Sequence, residues 1–202
     1  LRGLGMASVG AAALAAGCAK NEAAAAPAPT PAAPTVDKSV AIMGANESPF
    51  GPSKKAVEAM IEKASLTARY ADGEGMELQK QIAAIEGVSP EQVFLANGSA
   101  PILSAFGEMV AAQGKGQLVT SVATYEGVPR TVAAYGGELV LTPLTADMSI
   151  DLDAMLAKVS KKTTATYVCN PNNPTGNMVD PVKLKAFAIE ASKTAPCFID
   201  EA

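Results

Sequence analysis

From about residue 50 onwards, apolar and polar positions follow two different patterns along this chain. Short runs of apolar and β-branched residues, bounded by turn residues, indicate buried strands. They occupy positions 92–96, 117–121, 138–141, 163–169 and 196–199. Longer segments between these runs place their apolar residues at helical spacing. The alternation predicts an α/β fold of the three-layer α/β/α kind, in which a largely parallel sheet lies between helices.

The helical segments carry local start signals. One follows a turn-rich stretch at residues 45–53 and presents an apolar face made of Ala56, Val57, Met60, Ile61 and Ala64. Others are predicted around residues 78–85 and at 102–112, 128–135, 151–159 and 181–190. The acidic residues Asp147, Asp151 and Asp153 are interpreted as acids at helix starts rather than as catalytic groups.

Polar segments follow two of the predicted strands. The sequence Asn-Pro-Asn-Asn-Pro-Thr-Gly occupies residues 170–176, directly after the strand at 163–169, and Asp200-Glu201-Ala202 follows the last strand. The carboxyl ends of parallel strands meet at one edge of a sheet, where open α/β folds bind their ligands. We therefore expect the asparagine-rich loop and the Asp200 carboxylate to belong to one site.

These two segments resemble the pyridoxal phosphate (PLP) site of class I and II aminotransferases of fold type I. The longer form at residues 170–176 is most similar to the histidinol-phosphate aminotransferase branch, and the resemblance extends from about Val40 to the last residue. It implies a PLP-dependent transaminase that moves an amino group between an amino acid and a 2-oxo acid. The resemblance also implies a homodimer, and a PLP-binding large domain that is incomplete here.

The resemblance assigns roles at the coenzyme ring. Asp200 would lie beside the pyridine nitrogen, where an opposite charge favours the protonated form. Asn173 would donate a hydrogen bond to the phenolic oxygen of the ring. Tyr125 follows the strand at residues 117–121 and would stack on the ring, an arrangement that contributes roughly 1 kcal/mol beyond burial.

The coenzyme phosphate has a second set of candidates. The predicted strand at residues 92–96, the glycine turn at 97–101 and the helix start at 102 form the kind of N-terminus that binds anions. The backbone N–H groups of Ser99 and Ala100 and the Ser99 hydroxyl are the predicted donors, while Pro101 stands where the family has glutamate. In the family, a tyrosine matching Tyr70 reaches the phosphate of the other subunit.

Asn46 lies in a segment similar to the family's amino-terminal Asn-Glu-Asn-Pro stretch at the mouth of the active site. It is a candidate substrate-side residue, and a purely structural turn before the helix is an equally good interpretation. The site also needs groups that this chain does not supply. The Schiff-base lysine, and an arginine for the substrate carboxylate, would lie beyond Ala202, so we expect no catalytic residue and no transamination from these 202 residues alone.

Two alternatives stay open. One is a PLP-dependent lyase of the same fold, such as an amino-acid-phosphate decarboxylase, because the residues that separate the two reactions lie elsewhere. The other is an exported binding protein that keeps the fold without the chemistry. Asp200, Asn173 and Tyr125 together argue against the second alternative, since a protein that binds no PLP has no need of all three.

The first 35 residues differ from the rest in composition. Residues 1–19 are small and apolar with one arginine, which is typical of a truncated export signal. Residues 15–18, Ala-Ala-Gly-Cys, resemble a bacterial lipoprotein cleavage site, so we expect either a lipidated Cys18 or a plain cleavable signal. A twin-arginine signal, with Arg2 as its second arginine, is a further alternative. Residues 20–35 are rich in alanine and proline and read as a disordered linker. Residues 36–202 would form the folded part of an exported, periplasmic or membrane-anchored bacterial protein.

Composition excludes several classes of function. The net charge of −4 without a basic stripe argues against nucleic acid binding. The 202-residue chain has no histidine, which excludes a Ser-His-Asp triad or a histidine-ligated metal within it. Cys169 and Cys197 lie in predicted strands and are interpreted as core residues, although an exported protein could oxidise them if they lay close together.

Overall fold

A computed structural model describes residue 41 and residues 44–70, 73–112 and 114–202. The chain divides into two compact units, Leu1–Ser65 and Leu66–Ala202. The boundaries predicted at residues 19, 35 and 36 lie outside the described residues, as does Cys18. The described part of the first unit contains helix α1 (Lys54–Lys63), whose start is capped by the Ser53 hydroxyl accepting from the Ala56 N–H at 3.2 Å.

A four-stranded parallel sheet organises the second unit. Its order is β2-β1-β3-β4, and every pairing is parallel. The strands are β1 (Gln117–Ser121), β2 (Glu138–Thr142), β3 (Thr163–Cys169) and β4 (Cys197–Asp200). The predicted largely parallel α/β sheet is confirmed, and the two central strands β1 and β3 begin and end at the predicted residues.

The described part of the second unit contains five α-helices. They are α2 (Glu74–Glu86), α3 (Ala100–Ala112), α4 (Gly127–Ala134), α5 (Leu152–Lys158) and α6 (Pro181–Ala191). Each lies within a few residues of a predicted helix. Across the described ranges, no helix is both apolar enough and long enough to span a bilayer.

Alternate residues of the central strands pack on opposite faces of the sheet. Leu118, Ala165 and Tyr167 belong to one apolar cluster, which includes side chains of α3 and α4. Val119 and Val168 belong to a second cluster, which includes side chains of α5 and α6. The sheet is therefore covered on both faces, which explains why β1 and β3 read as continuous apolar runs rather than as alternating ones.

The helix starts of the second face depend on acidic caps. The Asp151 carboxylate accepts from the Ala154 N–H at 2.8 Å, and the Asp180 carboxylate accepts from the Lys183 N–H at 3.0 Å. The prediction for Asp147 is wrong, because this residue lies in a turn between the bridged residues Leu144 and Ile150. Its carboxylate accepts from the Thr145 and Ser149 hydroxyls, which lower its pKa.

The strand predicted at residues 92–96 is also wrong. A short 3-10 turn covers Pro90–Gln92, and the residues after it form no strand. The Val93 carbonyl accepts a hydrogen bond from the Gln79 side chain at 2.8 Å rather than from a neighbouring strand. A strand exists only where its backbone groups find a partner, and the described sheet offers none at this position.

The two described cysteines lie on opposite faces of the sheet. Cys169 belongs to the cluster with α3 and α4, and Cys197 packs against the cluster with α5 and α6. In the β3–β4 register, Cys169 pairs with Asp200 and Cys197 with Thr166. A three-residue offset separates the two along the strands by about 10 Å, whereas a disulfide needs Cα atoms closer than about 7 Å.

We therefore predict that both thiols stay reduced under oxidising conditions. Burial raises the pKa of the Cys197 thiol, which slows its reaction further because the thiolate is the reactive form. In a Cys18→Ser variant, thiol titration in denaturant should find the same two thiols before and after exposure to oxidised glutathione. Loss of both thiols in a monomer that carries no glutathione adduct would contradict this arrangement.

Candidate functional site

The carboxyl ends of β1, β3 and β4 meet at one edge of the sheet. The loop after β3 is joined to the end of β4, because the Asn170 N–H donates to the Asp200 carbonyl at 2.8 Å. The loop after β1 is joined to the same loop by the Asn172 side chain, which donates a hydrogen bond to the Ala123 carbonyl. The structure thus brings the asparagine-rich loop, the Asp200 segment and the Tyr125 segment to one edge, as the motifs predict.

Asp200 is the last residue of β4, and only 6% of the residue surface is exposed. The Tyr167 hydroxyl donates to Asp200 Oδ2 at 2.9 Å, and the Ala202 N–H donates to Oδ1 at 3.1 Å. A buried carboxylate needs such donors, because loss of hydration otherwise disfavours it. Sequence reasoning missed Tyr167, since only the register of β3 and β4 brings it beside Asp200.

The pKa of Tyr167 lies well above its usual range. Burial is the main cause, and the neighbouring Cys169 and Asp200 side chains raise the pKa further. The phenol therefore stays neutral. A neutral phenol keeps its proton and acts as a hydrogen-bond donor to the carboxylate throughout the physiological range.

The three asparagine side chains of the loop at residues 170–176 lie in different environments. Asn170 Oδ1 accepts from the Val179 N–H at 2.9 Å, which closes the loop onto its own exit. Asn172 Nδ2 donates to the Ala123 carbonyl at 2.8 Å and to the Thr175 hydroxyl at 3.0 Å. Asn173 is exposed. Two of the three amides thus maintain the loop, and Asn173 is the one that faces solvent.

Asn172 is a second residue that sequence reasoning missed. It is 2% exposed, and its bond to Ala123 joins the loop after β3 to the loop after β1. Its Oδ1 atom is buried without a hydrogen-bond partner in the described part of the chain. The only signal in the sequence is its place inside the motif at residues 170–176. Within that motif, the resemblance assigns the contact with the coenzyme to Asn173 instead.

Tyr125 lies in the loop between β1 and α4, with 37% of its surface exposed. A Cβ atom built on Gly127 would lie 2.6 Å from Cε1 of the Tyr125 ring. The Tyr125 ring thus lies directly against the Gly127 backbone. Any side chain at position 127 would displace the ring, so this contact requires a glycine. The exposed part of the ring is available for stacking on a ligand.

Helix α3 packs along one face of the sheet, because its Leu103 and Val110 side chains belong to the first apolar cluster. A Cβ on Gly116, just before β1, would lie 1.8 Å from the Val110 carbonyl oxygen, so the last turns of α3 lie against the start of β1. Since the C-terminal part of α3 lies at the start of β1, we infer that its N-terminus, with Ser99 and Ala100, lies towards the edge where β1 ends.

The predicted glycine turn lies directly before α3, but the strand predicted to precede it is absent from the described residues. Gly98 adopts a φ of +85°, a conformation that strains other residues, and the Ser99 carbonyl accepts the Leu103 N–H at 3.0 Å. Ser99 and Ala100 are exposed, and the N–H groups of a first helical turn have no partner within the helix. Pro101 has no N–H and contributes no donor.

The donor set fits PLP on grounds of chemistry and placement. The first cluster, which contains the Tyr167 ring beside Asp200, also contains side chains of α3. Phe106 of α3 and Phe198 of β4 lie with ring centroids 4.5 Å apart. An anion-binding helix start and a buried carboxylate therefore share one edge and one face of the sheet, as a phosphate and a pyridinium on one ligand require.

Two predicted residues have no such support. Tyr70 is 93% exposed, and its assigned role concerns a second subunit, so it stays a prediction. Asn46 is exposed and adopts a φ of 52° in the first unit, and its substrate-side role also stays a prediction. The described residues hold no cluster of three or more acidic, histidine or cysteine side chains suited to a metal ion.

Known proteins are similar to this chain in sequence. The chain is 35% identical over 160 residues to a histidinol-phosphate aminotransferase of Brevibacillus brevis, covering 79% of this chain and 43% of that protein. It is 33% identical over 165 residues to the histidinol-phosphate aminotransferase of Moorella thermoacetica, covering 82% and 42%. The chain thus spans less than half the length of these curated relatives.

Solved structures are similar in the same region. The histidinol-phosphate aminotransferase of Sinorhizobium meliloti, in complex with pyridoxal-5'-phosphate, superposes with a TM-score of 0.72 at 33% identity, covering 79% of this chain and 43% of that one. A putative histidinol-phosphate aminotransferase from Erwinia carotovora gives a TM-score of 0.71 at 26% identity, covering 78% and 46%. The family model for aminotransferase class I and II matches residues 38–202. The chain therefore belongs to the aminotransferase class I and II family.

Proposed function

We propose that this chain is the coenzyme-binding amino-terminal part of a PLP-dependent transaminase of the histidinol-phosphate aminotransferase type. The observation that carries the proposal is the buried Asp200 carboxylate, held by two donors at the sheet edge where α3 also begins. Such a carboxylate is expensive to maintain without a cationic partner, and a pyridinium nitrogen is such a partner.

Each side chain of the proposed site has one task. PLP, when bound, supplies an electron sink for the bonds of an amino acid. Asp200 holds a proton on the pyridine nitrogen, and Asn173 donates a hydrogen bond to the phenolic oxygen. Tyr125 covers one face of the ring and excludes water from it. Ser99 and Ala100 bind the phosphate through the free N–H groups of the first turn of α3 and the Ser99 hydroxyl.

The 202-residue chain alone is proposed to be inactive. The lysine that binds the coenzyme covalently and moves the substrate proton, and the arginine that binds the substrate carboxylate, would come from residues after Ala202. The amino donor is proposed to be histidinol phosphate or another amino acid, with a 2-oxo acid as acceptor. Assembly as a homodimer, with Tyr70 reaching the phosphate of the other subunit, belongs to the same proposal.

The test compares this chain with a longer protein that continues past Ala202. Both are mixed with PLP, reduced with borohydride and digested, and the peptides are searched for a pyridoxyl-lysine. The longer protein should carry a pyridoxyl group on one specific lysine and should catalyse transamination. In the 202-residue chain, no lysine should be modified specifically. A specific modified lysine in the short chain, or none in the longer one, would overturn the proposal.

A lyase remains the second candidate because the fold serves both reactions. L-threonine-O-3-phosphate decarboxylase from Porphyromonas gingivalis shares the fold, with a TM-score of 0.60 at 14% identity. The products separate the two candidates. Release of carbon dioxide without consumption of a 2-oxo acid would favour the decarboxylase, and formation of a new amino acid from the oxo acid would favour the transaminase.

The export signal at residues 1–19 and lipidation of Cys18 are retained as proposals about location. Mass spectrometry of the protein isolated from a bacterial host would test them. A mature chain that begins at Cys18 with a diacylglyceryl mass supports the lipoprotein. An amino terminus at another residue after position 18 supports a plain cleavable signal.

A glycine substitution tests the stacking role of Tyr125. Gly127→Ala is expected to weaken PLP binding to the longer protein about fivefold, because the new methyl group displaces the Tyr125 ring, whose stacking contributes roughly 1 kcal/mol. Stability should change little, since the ring is partly exposed and free to move. Coenzyme titration by fluorescence quenching measures the effect.

The matched control is Gly75→Ala, where an added Cβ meets nothing within 4 Å. It should leave coenzyme affinity unchanged. In a Tyr125→Ala background, Gly127→Ala should have no further effect, because the ring that it displaces is gone. An equal loss in both backgrounds would show that Gly127 acts through something other than Tyr125.

A further inference from the structure

Tyr167 places a hydroxyl group in a cluster of otherwise apolar side chains. Its side chain is fully buried in the middle of the sheet, within the cluster formed with α3 and α4. Its ring lies 6.2 Å from the ring of Phe198, the next aromatic residue on the neighbouring strand. A phenylalanine would fill the same space without a hydroxyl that must find a partner. Packing alone therefore does not explain why a hydroxyl group is present at this position.

The partner of that hydroxyl is the carboxylate at the end of the next strand. Tyr167 pairs with Phe198 in the β3–β4 register, and Asp200 lies two residues further along β4. Residues two apart on a strand point to the same face, so the phenol reaches diagonally along the sheet to Asp200 Oδ2 at 2.9 Å. The packed ring gives the hydroxyl little freedom to move away.

The Asp200 carboxylate keeps acceptor sites for a further donor. The Ala202 N–H occupies one site on Oδ1 and the Tyr167 hydroxyl one site on Oδ2. A carboxylate offers about four acceptor sites on its two oxygens. Both oxygens are thus fixed in orientation, and neither is saturated. A pyridinium N–H would therefore find a free acceptor site without replacing either donor.

We propose that Tyr167 is a positioning residue for coenzyme chemistry: its hydroxyl fixes the Asp200 carboxylate and sets how strongly Asp200 draws the proton of the pyridine nitrogen of PLP. This inference rests on the proposed function. Hydrogen bonds donated to a carboxylate stabilise its ionised form, so the Tyr167 donor keeps the shared proton on the coenzyme nitrogen. Without that donor, the carboxylate draws the proton towards itself.

The experiment uses the longer protein loaded with PLP labelled with nitrogen-15 in its ring. The resonance of this nitrogen reports directly whether it is protonated. In Tyr167→Phe, the resonance should move towards that of unprotonated pyridine, and PLP should bind roughly tenfold more weakly, the lower range for loss of a hydrogen bond to a charged group. A loss of packing alone would not move the nitrogen resonance.

The matched control is Tyr135→Phe. The Tyr135 hydroxyl also donates to a carboxylate, Glu108 Oε1 at 3.4 Å, but this pair lies on the surface. The same atom is removed from the same kind of bond, and the nitrogen resonance should stay at its wild-type position. A second variant places 3-fluorotyrosine at position 167. It keeps the ring and provides a more acidic donor, so the resonance should shift in the opposite direction.

The outcomes separate this inference from the function on which it rests. If the wild-type longer protein binds PLP and neither position-167 variant moves the nitrogen resonance, Tyr167 is structural and the inference is overturned. If the wild-type protein does not bind PLP, the proposed function fails and the inference fails with it. Should Tyr167→Phe not fold, the fluorotyrosine protein alone gives the answer, because it preserves both the ring and the hydrogen bond.

Discussion

Asp200→Asn is expected to lower the transamination rate of the longer enzyme by on the order of 10²–10³-fold, the cost of removing one preorganised charge partner from an active site. Asparagine keeps the volume and an acceptor oxygen, but it carries no negative charge to hold a proton on the pyridine nitrogen. The measurement is kcat with saturating PLP and both substrates. The coenzyme nitrogen resonance should report an unprotonated ring in the same samples.

The control for this substitution is Asp153→Asn, on the exposed surface of the first turn of α5. It removes the same charge from the same domain and should leave kcat within about twofold of wild type. The folded state of Asp200→Asn should survive, because the Tyr167 hydroxyl retains an acceptor. An Asp200→Asn enzyme that keeps more than a tenth of the wild-type rate would contradict the assigned role.

The sequence predicted those parts of the fold whose causes are local. β1 and β3 are covered on both faces, so their apolar runs marked their limits well. The starts of α5 and α6 were equally clear, since Asp151 precedes α5 and Pro181 opens α6. The residues at 92–96 look the same in sequence, yet they form no strand, because a strand depends on a partner that no local pattern reveals.

The candidate site shows the same division between local and distant causes. Asp200, Asn173 and the turn before α3 belong to short motifs, and their residues could be named from the chain alone. Tyr167 and Asn172 could not be found in this way. Tyr167 contacts a residue 33 positions away, and Asn172 contacts one 49 positions away. Their roles follow from strand order and register, which the sequence does not state.

The role of Asn172 leads to the largest expected effect on stability. Asn172→Asp should lower the free energy of unfolding by about 3–5 kcal/mol, the cost of a buried charge without a partner. The substitution replaces the Nδ2 donor with an oxygen that faces the Ala123 carbonyl at 2.8 Å, and the amide is 2% exposed. Denaturant unfolding of the apo-protein at neutral pH measures the loss.

The pH dependence identifies the cause. Protonation of the introduced carboxyl restores a donor towards Ala123, so the deficit relative to wild type should be full at neutral pH and should shrink as the pH falls towards about 4. The neighbouring Asn173→Asp is the matched control, because Asn173 is exposed and should lose less than about 0.5 kcal/mol. If Asn172→Asp were as stable as Asn173→Asp at neutral pH, the bond between Asn172 and Ala123 would not hold the two loops together, and the common edge of the site would need another cause.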